Sequence, residues 1–92
     1  MKNEDDMIAR RDRVDIQSTI FGHNVGVMLH RKHISEHDLA RMTGLGQGTI
    51  SAYRHGKQTP TLYNALLVCD ALGVDIGKMA TRRYDYDFGF KT

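Results

Sequence analysis

A single cysteine, Cys69, leaves the chain unable to close an intrachain disulfide and removes any redox framework. With no base partner signalled beside it, Cys69 reads as a small core side chain rather than a reactive thiol. No run of apolar residues is long enough to cross a membrane. The first fifteen residues are mostly charged, the opposite of an apolar signal segment. No membrane partner is expected, and cytoplasmic residence follows as the default. A glycine-rich phosphate loop and a clustered nucleophile and base are also missing, so neither an enzyme nor a cofactor site is expected. An excess of one charge is missing too: thirteen Lys and Arg against eleven Asp and Glu give +2, too little to establish nucleic-acid binding.

What is present fits one soluble domain with a modest core, since 92 residues are too few for two independent ones. The placement of charge says more than its total. Residues 21–60 carry Arg31, Lys32, Arg41, Arg54 and Lys57 against Glu36 and Asp38, a net +3, while residues 1–20 sum to −1 and residues 61–92 to zero. Positive charge gathers in the middle segment.

Met1 to about Val14 mixes Glu4, Asp5 and Asp6 with Arg10, Arg11 and Arg13 and has too few apolar groups for an autonomous element. A solvated arm and an extra helical turn both fit, and the basic triplet could touch a DNA backbone. From about Ile16 to Lys32, Phe21, Val25 and Met28 recur at helical spacing. Gly22 and Gly26 lower the propensity of that helix but permit close packing. Ser35 with Asp38 has the form of a capping box, and Ile34 with Leu39 fits a hydrophobic staple, so a helix is predicted to start at residue 35 or 36. It ends at Thr43-Gly44, Leu45 returns to the core, and a second short helix starts near Gly46 or Gln47, carries Ile50 and Tyr53 on a three-residue spacing, and stops at Gly56. Pro60 and Thr61 precede a helix through Ala71 with Ala65, Cys69 and Leu72 on its inner edge. Gly73 closes it, and Asp75 caps a last short helix through about Ala80. The expected fold is all-α, a compact five-helix domain.

The order and spacing of Phe21-Gly22, Val25, Met28, Ile34-Ser35, Leu39-Ala40, Gly44-Leu45, Ile50-Ser51, Tyr53, Gly56-Lys57, Pro60-Thr61 and Ala71-Leu72-Gly73-Val74 resembles the Cro/repressor helix-turn-helix family, also called lambda-repressor-like or XRE. The likeness covers about sixty residues, from Phe21 to Met79. It implies that the helix beginning at Ser35 braces the structure while the helix from about Gly46 to His55 enters the major groove of double-stranded DNA, which a protein helix fits. Gln47 is then the leading base reader, since its amide can donate and accept together, as adenine requires. Gly48 would let the backbone approach the duplex, Thr49 offers a hydroxyl or methyl, and Ala52 a methyl for thymine. His55, Lys57, Gln58 and Thr59 fall on the turn that in the family runs along a phosphate backbone, with Arg41 and Arg54 as further backbone candidates. Together these imply a transcriptional regulator, a repressor in the first instance.

The chain departs from that family at several positions. Glu36 stands where relatives often carry a glutamine that braces the recognition helix, so its charge repels the duplex unless paired. Arg54 replaces a frequent glutamate, and Leu29 replaces that glutamate's frequent arginine partner. The pair is lost as a unit, leaving Arg54 to Glu36, to phosphate or to solvent. His33 occupies a turn position where glycine is common.

Other chemistries compete. Five histidines, among them His23, His30, His33 and His37, invite a metal reading, but His33 and His37 straddle the Ser35 cap and no second cysteine completes a familiar zinc set, so no metal is expected. The stronger alternative is a protein-interaction module that keeps the helical framework with little DNA specificity, favoured by Glu36, Gly48, Ala52 and the small net charge and opposed by Gln47 and Lys57.

Tyr84, Tyr86, Phe88 and Phe90 alternate with Asp85, Asp87 and Gly89, a pattern compatible with a short C-terminal β-strand carrying its aromatics on one face. The tail could instead fold back on its own helices or stay mobile. Four aromatic side chains are costly to expose, and relatives commonly bind DNA as two-fold dimers, so these four are dimerisation candidates and a homodimer is expected. The organisation read from the sequence is a charged arm over 1–15, the helix-turn-helix domain over 16–81 and an aromatic tail over 82–92.

Overall fold

A computed structural model describes residues 4–85, with side chains described from Arg10 onward. It consists of five helices: α1 (Glu4–Lys32), α2 (Glu36–Thr43), α3 (Gln47–Arg54), α4 (Leu62–Leu72) and α5 (Ile76–Thr81). No strand occurs among the described residues, Tyr84 and Asp85 included. The remainder of the tail, with Tyr86, Phe88 and Phe90, lies outside the described residues. No described helix is long and apolar enough to cross a membrane.

Helix ends follow local side-chain chemistry. Asp38 N–H donates to Ser35 Oγ at 3.0 Å and Ser35 N–H to Asp38 Oδ2 at 3.0 Å, closing the box at the start of α2. Thr61 accepts from Asn64 N–H at 3.1 Å to cap α4, and Asp75 from Lys78 N–H at 3.0 Å to cap α5. Gly44 and Gly73 end α2 and α4 at φ 77° and 68°, where a glycine avoids the Cβ penalty of left-handed backbone. His33 takes the same conformation at φ 57° after α1, and Ile34 N–H reaches back to Leu29 O at 3.1 Å. That six-to-one bond satisfies an otherwise orphaned carbonyl, so the turn forms without glycine.

The expected stripe of Phe21, Val25 and Met28 is buried, and Leu39, Ile50, Val68, Leu72 and Met79 meet it from the other four helices. Leu29 belongs to this core, and Cys69 is buried within it as expected. Burial, with a smaller contribution from the negative charge of Asp75, pushes the Cys69 thiol up to about 11.

α1 begins at Glu4, twelve residues before the helix expected from Ile16. From Arg10 to Gln17 its side chains are exposed, so burial does not account for that stretch of the extension. Once the packed half has nucleated the helix, each further residue fixed gains one backbone bond without a new nucleation cost, and Arg, Ala and Met are good formers.

Two contacts fix α1 on the rest of the fold. Gly22 sits so close to α3 that a Cβ there would overlap the carbonyl oxygen of Tyr53 and lie 3.2 Å from that of Arg54. Two residues on, Asn24 is fully buried. Its Nδ2 donates to Met79 O at 2.8 Å and Arg82 O at 2.5 Å, and its Oδ1 accepts from Tyr84 N–H at 2.9 Å. One side chain thus holds the end of α5 and the segment that leaves it.

Candidate nucleic-acid interface

α2 and α3 are joined by Gly44–Leu45–Gly46. Thr43 makes the bend rigid from inside: its hydroxyl donates to Leu39 O at 2.8 Å and accepts from Leu45 N–H at 3.2 Å. Gly44 N–H returns to Ala40 O at 2.9 Å. Leu45 is half-buried against the core, which fixes where α3 starts.

Along α3, Ile50 and Tyr53 are the anchors, at 0% and 2% exposure. The Tyr53 hydroxyl accepts from Asn64 Nδ2 at 2.9 Å, so α3 is held to α4 as well as to α1. With that face committed, Gln47 and Gly48 are exposed at the first turn, and Thr49 and Ala52 are half-exposed. A Cβ on Gly48 would meet nothing within 4 Å. Gly46 precedes α3 without a side-chain cap, whereas the caps of α2, α4 and α5 are filled by Ser35, Thr61 and Asp75. Thr49 N–H donates to Gly46 O at 3.1 Å, which leaves the Gln47 and Gly48 amides of the first turn for an outside acceptor.

His55, Lys57, Gln58 and Thr59 are all exposed on the turn after α3. His55 is partly committed, its Nδ1–H donating to Ser51 O at 2.9 Å. Lys57 forms no ion pair among the described residues. Arg41 lies at the end of α2, 70% exposed, with Nη2 2.8 Å from Asp38 Oδ1. The Asp38 carboxylate is held below the usual carboxylate range, first by the Ser35 backbone N–H and then by Arg41. Such an exposed pair is weak enough for Arg41 to exchange Asp38 for a phosphate.

Arg54 takes one of the three courses open to it. Its Nη1 donates to Glu36 Oε2 at 2.8 Å, neutralising the acidic residue at the start of α2. Gln47, Gly48, Thr49 and Ala52 share one short helix, with the 55–59 turn following it directly. Tyr84 goes elsewhere: half-buried against the core, with its ring under the Arg31 guanidinium at 5.3 Å and its carbonyl accepting from His23 Nε2 at 2.8 Å.

Sequence reasoning missed Asn24. A polar residue at three positions from Phe21 and four from Met28 falls on the buried stripe, and that spacing was the signal that could have found it.

The family model for the Cro/C1-type HTH DNA-binding domain matches residues 24–82, and the chain belongs to that family. The matched stretch takes in the end of α1 and all of α2 to α5. No curated protein matches the chain.

Proposed function

We propose that the protein is a sequence-specific regulator of transcription, a repressor, that binds double-stranded DNA in the cytoplasm with α3 as its recognition helix. Gln47 and Thr49 read base edges, Ala52 offers a methyl contact, and Gly48 allows close approach of the backbone. Arg41, Arg54, His55, Lys57, Gln58 and Thr59 hold the phosphates on either side. The observation that carries this reading is the uncapped, exposed first turn of α3, anchored from behind by buried Ile50 and Tyr53. Pairing of Glu36 with Arg54 supports it further, because it removes the repulsion an isolated carboxylate would exert at the groove. A homodimer would set two such helices in successive major grooves about one helical turn apart.

Selection of bound duplexes from a random pool, followed by salt titrations of the intact chain, tests the reading. Gln47→Ala should alter preference at one base pair. Lys57→Ala should weaken all duplexes alike and lower the salt slope by about 1. Unchanged relative affinities in Gln47→Ala would remove its base-reading role, and absence of duplex binding at low salt would leave the interaction-module alternative.

A further inference from the structure

His55 closes α3 as its C-terminal cap, and its ring is anchored through one nitrogen. Nδ1 lies 2.9 Å from Ser51 O and 3.4 Å from Ser51 Oγ. A carbonyl oxygen has no proton to give, so the shorter contact requires the proton to sit on Nδ1. The same oxygen accepts the His55 backbone N–H at 3.0 Å, so the side chain adds a second bond to the last turn of the helix. In a neutral imidazole with Nδ1 protonated, the other nitrogen is a bare acceptor. Nε2 makes no hydrogen bond among the described residues, and His55 is exposed.

An ionised phosphate oxygen can only accept. A neutral His55 held in this tautomer therefore meets it lone pair to lone pair, and a contact needs either a second proton on Nε2 or release of Ser51 O. Release gives up a bond at the end of α3. Protonation keeps that bond, because an imidazolium donates from both nitrogens at once, and its bond to phosphate is of the stronger, charge-assisted kind. The charged and titratable residues around His55 are Arg54 on α3 with its partner Glu36, Lys57 on the turn, His23 on α1 and Arg83 after α5. These accompany His55 with or without DNA. The phosphate is the charge that changes on binding, and a negative charge beside the ring favours the imidazolium.

We infer that His55 holds a DNA phosphate as the imidazolium, with Nδ1–H on Ser51 O and Nε2–H on the phosphate. Each copy then takes up a proton as it binds a duplex wherever the free ring is neutral. The inference rests on the reading of the 55–59 turn as a phosphate-binding segment and couples that segment to pH. Because the bound state carries more protons than the free one, duplex affinity falls as pH rises through about 5 to 8, the range in which histidines change charge. One more phosphate is neutralised at the acidic end of that range than at the alkaline end.

The test uses the full chain, isotope-labelled for ring nitrogen NMR, and a random-sequence duplex, whose phosphates attract cations whatever the bases. Spectra of the free chain at about pH 8, the alkaline end of the histidine range, should show His55 protonated at Nδ1 and bare at Nε2. The opposite tautomer would overturn the inference before any DNA is added. Duplex titrations over several salt levels at about pH 6 and about pH 8 then compare the native chain with His55→Asn and His55→Lys, each checked for fold by circular dichroism. Asparagine donates an amide N–H at either pH, and lysine is charged at both. His23, His30, His33 and His37 are present in all three chains, so their contribution cancels. From the higher to the lower pH, native affinity should gain about tenfold beyond the change in His55→Asn. Its salt slope should steepen by about 1, while His55→Lys keeps the steeper slope throughout. Equal pH dependence in the native chain and His55→Asn would overturn the proton uptake and leave the DNA reading in place. No duplex binding by the native chain at either pH, even at low salt, would overturn both.

Discussion

Arg54 Nη1 lies 2.8 Å from Glu36 Oε2 and ties the last residue of α3 to the first residue of α2. The two side chains are 37% and 17% exposed, so the pair is better shielded than the open Arg41–Asp38 bridge at 70% and 37%. Where the resemblance implies an ion pair between positions 54 and 29, Leu29 is instead part of the core, and the cation has turned to α2.

A double-mutant cycle over Glu36→Gln and Arg54→Ala should give a coupling of about 1 kcal/mol in urea unfolding, as expected for a partly shielded pair. Glu36→Gln alone should strengthen duplex binding at low salt several-fold, because it removes a negative charge and frees Arg54. Coupling indistinguishable from zero would mean that the contact adds nothing to the hold between α2 and α3.

Asn24 is the side chain on which the C-terminal segment depends. Asn24→Leu should cost about 3 kcal/mol, because it strands Met79 O, Arg82 O and Tyr84 N–H in or near the core. Hydrogen exchange at the Tyr84 amide should rise well beyond the change in global stability. Equal protection in both proteins would show that another group holds the segment.

Gly22 and Gly48 should respond to alanine in opposite directions. At Gly22 the new methyl would collide with the Tyr53 carbonyl, which is backbone and cannot rotate away, so a loss of about 3 kcal/mol is expected. At Gly48 the methyl meets nothing, and the gain in helix propensity should stabilise the protein by up to about 1 kcal/mol. Gly48→Ala should nevertheless weaken duplex binding if the backbone approaches DNA there. Thermal unfolding and a duplex titration on the same preparation check both halves.

The parts legible in the sequence are those decided within a few residues. Ser35 and Asp75 announce their caps because each hydroxyl or carboxylate bonds an amide three positions on, and Gly44 and Gly73 announce helix ends because the backbone there is left-handed. The stripe of Phe21, Val25 and Met28 was readable from its period. The hold of Asn24 on Tyr84 spans sixty positions, so it leaves no local trace. The early start of α1 was hidden because propagation from a packed helix needs no apolar pattern.

Cys69 should make stability fall at alkaline pH. Its folded thiol is raised from an ordinary value near 9.0 to about 11, so its stabilising contribution is fully present below about 9 and is lost as pH rises through 11. The full loss should be on the order of 3 kcal/mol once the thiol is ionised in both states. Cys69→Ala gives up packing at neutral pH, but its deficit relative to the native chain should shrink between pH 9 and 11. A constant deficit across that range, measured by urea unfolding, would rule out the thiol as the source.

The proposed homodimer is best tested by cutting the chain after Asp85. Tyr84 is engaged within its own protomer by Asn24, His23 and Arg31, so a shorter chain ending at Arg83 would lose these contacts and confound folding with assembly. A cut after Asp85 keeps them, along with the bond from Arg31 Nη2 to Asp85 O at 2.6 Å, and removes only Tyr86, Phe88 and Phe90 of the aromatic series. If those three rings hold two copies together, sedimentation should find the intact chain dimeric and the shortened chain shifted toward monomer over the same concentrations. Affinity for a two-half-site duplex should fall with it, while affinity for a single half-site stays level, because each copy retains α3 and its turn. Equal dimer populations would assign assembly to the helices instead, where Leu62 and Tyr63 at 69% and 72% exposure on α4 are the next residues to substitute. An intact chain that stays monomeric throughout would remove the dimer, and with it the expectation of a two-fold symmetric operator.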